Sequence, residues 1–170
     1  MADKDLTPEE VVKIFYSTKG GLDKVNAAID ARLEAGRTRS VTLPEKFIRA
    51  RLHINPTILR LAEMTLTPVD TIYLAQMEGL AKVEILDLRK NQLGDTGIDA
   101  LGQSAHLGNV RELDLRSNKI TRVGLLAFSA STHLRNLEKI DLRLNQLGQS
   151  WESKLQDSGN FPKLKMVRVR

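Results

Sequence analysis

The sequence has no cysteine among its 170 residues, and this absence excludes disulfide bonds, cysteine-based zinc sites and thiol catalysis. Aromatic residues make up only 4% of the chain, so aliphatic side chains must supply most of the core. No stretch approaches the roughly 18–20 apolar residues of a membrane-spanning helix. The acidic N-terminal region has no apolar run typical of a signal peptide. We therefore expect a cytoplasmic protein with no membrane anchor.

The motifs that mark common enzyme active sites are also missing. The sequence contains no phosphate-binding G-x-x-x-x-G-K-[ST] loop, no G-x-S-x-G nucleophile elbow, no H-E-x-x-H zinc pair and no dinucleotide-binding G-x-G-x-x-G. The net charge is only +5, from 26 basic and 21 acidic side chains. That is a weak electrostatic footprint for a nucleic-acid-binding domain. We expect no catalysis, no cofactor and no bound metal.

Leucine, by contrast, is abundant, with 26 residues that recur at regular intervals. Three segments superpose, VEILDLRKNQLG at 83–94, VRELDLRSNKIT at 110–121 and LEKIDLRLNQLG at 137–148. Their asparagines, Asn91, Asn118 and Asn145, follow one another at intervals of 27 residues. Further apolar residues in phase extend the pattern in both directions, which predicts four full units and a truncated fifth over 56–170.

The pattern L-x-x-L-x-x-L-x-L-x-x-N-x-L, complete at 134–147, resembles the leucine-rich repeat family. The 27-residue length and the segment GDTGIDAL at 94–101 resemble its ribonuclease-inhibitor-like subfamily. The resemblance implies an α/β solenoid, curved, with a parallel sheet on the concave side and helices on the convex side. The first unit has Met64 in place of the asparagine, and we interpret it as a degenerate capping repeat.

Each repeat alternates apolar and polar residues along its strand. Leu86 and Leu88 should therefore point into the core while Asp87 and Arg89 point outward. The asparagine of each unit follows where the chain turns inward, and its amide can bond to backbone groups of its own turn and of the neighbouring turn. We expect Asn91, Asn118 and Asn145 to form a structural ladder.

Residues 1–55 lie outside the repeat, and their sequence pattern predicts an α-helical N-terminal cap. The segment Thr7-Pro8-Glu9-Glu10 has the pattern of a helix start. Apolar residues over 22–33 follow helical spacing, and a third helix begins at Leu43. Such a cap shields the apolar end of a repeat array. A separate partner-binding helical module is the alternative.

The solvent-facing strand positions carry two columns of charge. One column reads Arg60, Asp87, Asp114, Asp141 and Arg168, and the column two residues further reads Ala62, Arg89, Arg116, Arg143 and Arg170. Two interpretations stay open: the aspartates and arginines neutralise one another in a lattice of ion pairs, or the arginines bind a protein partner. The candidate partner-binding residues are Asp87, Arg89, Asp114, Arg116, Asp141, Arg143, Arg168 and Arg170.

Two further residue types offer candidate sites. Trp151, the only tryptophan, occupies the position of Gly97 and Gly124 in earlier units, so we expect a partly exposed ring that packs on the C-terminal turn or serves as an interaction anchor. His106 and His133 also occupy equivalent positions, but no further metal ligand shares them. They are expected to cap the preceding helices.

The leading hypothesis is a non-catalytic protein–protein interaction module, or scaffold, that binds its partner on the concave strand face. One alternative is a GTPase regulator resembling Ran GTPase-activating proteins, which are considerably longer than this chain. The other is a nucleic-acid binder within a ribonucleoprotein, which the interleaved aspartates disfavour. Cations on the last strand hinder edge pairing, so we expect a monomer, with an edge-strand dimer as the alternative.

Overall fold

Strands and helices alternate along the chain in this computed structural model, which describes residues 8–18 and 43–170. The elements are α1 (Pro8–Ser17), α2 (Leu43–Ile54), β1 (Ile58–Arg60), α3 (Pro68–Ala75), a 3-10 helix (Glu78–Lys82), β2 (Ile85–Asp87), α4 (Gly94–Gln103), β3 (Glu112–Asp114), α5 (Arg122–Ser129), β4 (Lys139–Asp141), α6 (Trp151–Asp157) and β5 (Met166–Arg168). From β1 onward, a helix connects each strand to the next.

The five strands form one parallel sheet in the order β1-β2-β3-β4-β5. Ile58 pairs with Ile85, which pairs in turn with Glu112, so register partners lie 27 residues apart. Parallel neighbours require a crossover connection, and here the helices supply it on the apolar side of the sheet. The opposite side carries the outward-facing polar residues.

The core lies between the sheet and the helices. Leu86 and Leu88 have no exposed surface, because period-2 alternation points both of them away from the solvent. The equivalent strand positions are also buried: Leu59, Leu61, Leu113, Leu115, Ile140 and Leu142. The helical side adds two buried columns, Leu74, Leu101, Phe128 and Leu155, and Leu80, Leu107, Leu134 and Phe161. Each unit therefore contributes one layer to a continuous core.

The asparagine ladder joins consecutive units through buried hydrogen bonds. The amide nitrogen of Asn91 donates to the carbonyl oxygens of Leu61 and Leu88, both at 2.8 Å. Its side-chain oxygen accepts from the backbone N–H groups of Met64 and Leu66, both at 3.0 Å. One side chain thus satisfies backbone groups of two neighbouring turns that would otherwise be buried without partners.

Helices α3, α4 and α5 pack side by side, and a glycine permits the closest approach between α4 and α5. A Cβ atom on Gly124 would lie 2.5 Å from the Oδ1 atom and 2.6 Å from the Cα atom of Asp95. Asp95 accepts hydrogen bonds from the backbone N–H and the hydroxyl of Thr121, at 2.7 and 2.6 Å. Thr121 is the N-cap of α5, so a carboxylate of α4 anchors the start of α5.

The N-terminal helix α1 begins at Pro8, as its sequence predicted, and packs against α3. It buries Ile14 and Phe15, and the Tyr16 hydroxyl donates to Thr96 Oγ1 of α4 at 3.1 Å. Helix α1 therefore lies on the helical side of the molecule. The helix predicted over 22–33 lies outside the described residues.

Helix α2 begins at Leu43, also as predicted, and contacts β1 and the 3-10 helix. Its Ile48 and Leu52 belong to the same buried cluster as the leucines of the repeats. Leu52 lies so close to the 3-10 helix that a Cβ atom on Gly79 would be 3.1 Å from its Cδ1 atom. The apolar face of α2 thus extends the core at the β1 end of the sheet.

Candidate functional site

A shallow groove with a volume of about 340 Å³ crosses the exposed face of the sheet and contacts all five strands. Six of the eight residues predicted for this face line it: Asp87, Asp114, Arg116, Asp141, Arg143 and Arg168. Arg89 and Arg170 are not among the lining residues. The groove is therefore centred on the aspartate column rather than on the arginine column.

A third column of groove residues, one position before the inward strand residue, is not among the candidate binding residues. It consists of Ile85, Glu112, Lys139 and Met166. Strand alternation could have identified them, because residues two positions apart share one face of a sheet. Glu112 and Lys139 form an ion pair across β3 and β4, with 2.6 Å between the carboxylate oxygen and Nζ. Arg60 of β1 also lines the groove.

Two aspartates of the groove hold the arginines of their own units in a two-pronged contact. Arg116 donates from Nε to Asp114 Oδ1 at 3.0 Å and from Nη2 to Oδ2 at 2.6 Å. Arg143 contacts Asp141 in the same way, at 3.0 and 2.8 Å. Each aspartate also accepts from the backbone N–H of its arginine, at 3.2 Å. These contacts fix the direction in which both guanidinium groups point.

Arg89 repeats the sequence pattern but not this geometry. Its Nε atom lies 3.5 Å from Asp87 Oδ2, and that nitrogen is buried without a hydrogen-bond partner. Arg116, in contrast, also approaches Asp141 of the next unit at 3.7 Å. The side chains of Arg89, Arg116 and Arg143 are 43%, 29% and 34% exposed. The ion pairs are thus formed, yet the arginines still reach the solvent.

Comparisons with known proteins agree with this architecture. A family model described as Leucine Rich repeat matches residues 79–102 and 106–129. A solved structure of "Leiomodin-1 Actin-Binding Site 2 (ABS2)" is similar with a TM-score of 0.59 and 15% sequence identity, over 76% of this chain and 80% of that chain. The chain has an α/β leucine-rich repeat fold. No curated protein sequence matches it.

The ion pairs of the leucine-rich repeat face shift the pKa values of their members. Partial burial raises the pKa of Asp141, but the hydrogen bonds and the charge of Arg143, with the charge of Arg116, outweigh this effect and bring the pKa below its usual value of 3.8. The hydrogen bonds to Asp114 and Asp141 raise the pKa values of Arg116 and Arg143, respectively. The charged forms of Asp141, Arg116 and Arg143 are therefore favoured by their partners.

We expect Asp141 to stabilise the fold only while it is ionised. Because its pKa is lower in the folded protein than in the unfolded chain, its contribution is complete above pH 3.8 and is lost as the pH falls through the folded-state pKa. Denaturation midpoints of the wild type and Asp141→Asn should therefore differ near neutral pH and converge in acid. Asp157→Asn, at the exposed end of α6, is the control. A difference that persists unchanged in acid would contradict the role of the pair.

Trp151 is buried, with only 6% of its surface exposed, so the expectation of a partly exposed ring is wrong, and the alternative of an interaction anchor has no exposed ring surface to support it. A side chain at Gly124 would collide with the preceding leucine-rich repeat. Helix α6, which begins at Trp151, packs mainly on β5 and does not continue the side-by-side packing of α3, α4 and α5. The indole therefore has room to join the core, and Lys154 Nζ lies 5.0 Å from its ring centroid.

The two equivalent histidines lie in turns that serines organise. Ser131 donates to the carbonyl oxygen of Gly102 in the preceding repeat at 2.6 Å and accepts from the backbone N–H of His133. Ser104 makes the corresponding contacts before His106. The serines, not the histidines, thus perform the expected capping. Residues 8–18 and 43–170 contain no group of three potential metal ligands and no helix long and apolar enough to cross a membrane.

Proposed function

We propose that this leucine-rich repeat chain is a non-catalytic protein-interaction module whose partner binds the concave, exposed face of the sheet. The groove is the observation that carries this proposal. Its charged side chains are not needed to fill the core, yet hydrogen bonds to Asp114 and Asp141 hold Arg116 and Arg143 in place. Side chains that are already oriented lose less conformational entropy on binding. Guanidinium forks also suit carboxylate recognition.

Within this proposal, residues 56–170 form a solenoid of 27-residue, ribonuclease-inhibitor-like repeats, and residues 1–55 form its N-terminal cap. The constant register offset of the strands supports the repeat length. The packing of Ile48 and Leu52 into the repeat core supports the cap. A cytoplasmic location and a monomeric state stay predictions, which the absence of cysteine and the exposed Arg168 on β5 favour.

The proposal predicts that replacing the three arginines at positions 89, 116 and 143 by alanine abolishes partner binding. The fold should survive, because ion pairs whose cation reaches the solvent, as these do, contribute only about 0–1 kcal/mol each. The matched control replaces Arg122 and Arg135, which are exposed and absent from the groove. Proteins captured from a lysate would be quantified for the wild type, the groove variant and the control variant. Each captured candidate would then be purified and titrated against the same three proteins. Equal binding by the groove variant and the control would refute the proposed surface.

Three specific classes of partner can be tested directly with the purified chain. The similar solved structure is named for an actin-binding site, so co-sedimentation with actin filaments is the first trial, although 15% identity concerns the fold alone. A stimulated-hydrolysis assay addresses the GTPase-regulator alternative. A salt titration with an oligonucleotide addresses the nucleic-acid alternative, because phosphate contacts weaken steeply with salt.

A further inference from the structure

Charges just before the strands, and most of those on the exposed face of the sheet, are neutralised within the molecule. Arg111 lies 3.6 Å from a carboxylate oxygen of Glu84 and 3.2 Å from one of Glu138, and Lys165 lies 3.3 Å from the other oxygen of Glu138. These four residues occupy equivalent positions in successive units, and their charge therefore alternates in sign from one strand to the next. The ion pairs of Glu112 and of the central aspartates cancel further charges. Only charges without such partners are available to set the sign of the groove.

Two cations of the groove have no ionic partner among residues 8–18 and 43–170. They are Arg60 of β1 and Arg168 of β5, and both are exposed. They belong to the aspartate column, because Arg60 is the register partner of Asp87 and Arg168 that of Asp141. The groove therefore has an unpaired cation at each end and mostly compensated charge between them.

The separation of the two ends limits what can engage both. Four strand spacings of about 4.8 Å place the two backbone positions about 19 Å apart. An extended peptide advances about 3.3 Å per residue, so side chains six residues apart are separated by about 20 Å. Because side chains alternate, an even spacing of six also puts both on the same side of the peptide.

We infer that the groove binds an extended acidic segment of a partner protein, which crosses the strands and presents two carboxylates six residues apart to Arg60 and Arg168. This inference rests on the proposed function and specifies the partner's chemistry. Arg116 and Arg143 add oriented N–H groups along the path, since Asp114 and Asp141 occupy only one side of each guanidinium. Lys139 and Glu112 complete a polar wall at the centre of the groove.

A polynucleotide fits this groove less well. Its phosphates recur at every nucleotide and would face the carboxylates of Asp87, Asp114 and Asp141. The lining residues include no aromatic side chain on which bases could stack. An acidic peptide can leave its central positions uncharged, and its charge pattern then matches that of the groove.

The test is an NMR titration of the full chain with a nine-residue peptide of serine and threonine that carries two glutamates six residues apart. A second peptide has the glutamates four residues apart, and a third has lysines in place of the glutamates. We expect the first peptide to bind at least fivefold more tightly than the second, and the third not to bind. Arg60→Gln and Arg168→Gln should each weaken binding of the first peptide about fivefold. Arg122→Gln, on the helical side, should leave it unchanged.

Equal affinity for the two glutamate spacings, no binding of either, or no effect of the Arg60 and Arg168 substitutions would overturn the inference. Tighter binding of an octathymidylate through the same two arginines would assign the groove to nucleic acid instead. The experiments distinguish failure of the proposed function from failure of this inference. Loss of a protein partner in the three-arginine variant, with no peptide binding, would retain the interaction surface and reject only the acidic segment.

Discussion

Replacing Asn91 by alanine is expected to lower the free energy of unfolding by about 3 kcal/mol, because several buried backbone groups lose their partners together. The methyl group cannot donate to the carbonyls of Leu61 and Leu88 or accept from the N–H groups of Met64 and Leu66. Asn91 is only 4% exposed, so water cannot replace these bonds without opening the turn. Denaturant unfolding followed by circular dichroism measures the change.

Alanine substitutions at other asparagines allow the stability cost at Asn91 to be compared with those at sites of different burial and bonding. Asn118→Ala should cost about 1–3 kcal/mol, because its side chain is fully buried but its oxygen has only one long contact, at 3.5 Å to the N–H of Leu93. Asn145→Ala should cost less, since Asn145 is only partly buried. Asn109 also donates to a backbone carbonyl, but at an exposed site, so Asn109→Ala should change stability by less than about 0.5 kcal/mol. Equal effects at Asn91 and Asn109 would show that the buried ladder is not what stabilises the turns.

Replacing Gly124 by alanine is expected to cost about 3 kcal/mol despite adding only one methyl group. The new Cβ would lie 2.6 Å from the Cα atom of Asp95, and a backbone atom cannot move aside without displacing α4 from α5. The hydrogen bonds from Thr121 to Asp95 would be strained by the same displacement. The measurement is the denaturation midpoint.

Gly148 supplies the matched control for this substitution. No atom lies within 4 Å of a Cβ placed on it, and its backbone does not require a positive φ. Gly148→Ala should therefore be neutral or stabilise the protein by up to about 1 kcal/mol, through lower entropy of the unfolded chain. If Gly124→Ala were equally harmless, the close approach of α4 and α5 would not constrain the fold.

The fold could be predicted from the sequence because its determinants are local and repeat. The alternation around Leu86 and Leu88 recurs in each unit, and parallel strands bring equivalent residues into register. Helix starts at Pro8 and Leu43 were also readable, since a proline near the first turn is a local signal. Such patterns do not depend on distant parts of the chain.

The site could be predicted only in part because its geometry depends on neighbouring strands. Asp87 has Arg60 as a register partner, whereas Asp114 has aspartates on both sides. Identical D-x-R segments therefore lie in different electrostatic environments. Arg116 interacts with several carboxylates, whereas Arg89 is not held in the same way. The burial of Trp151 likewise follows from the packing of α6 on β5, which no local pattern specifies.

The hydrogen bonds that join units of the ladder link each asparagine to the turn before it in the sequence. The order in which the chain is synthesised therefore affects when these bonds can form. Asn91 completes the turn that contains Met64 and Leu66, and Asn145 completes the turn that contains Asn118 and Ile120. Both of these turns are thus closed by a side chain that is made about one unit later. On the ribosome, a newly exposed unit has open backbone groups until the next asparagine emerges. Ordered structure in this protein is therefore expected to trail the growing end by one repeat.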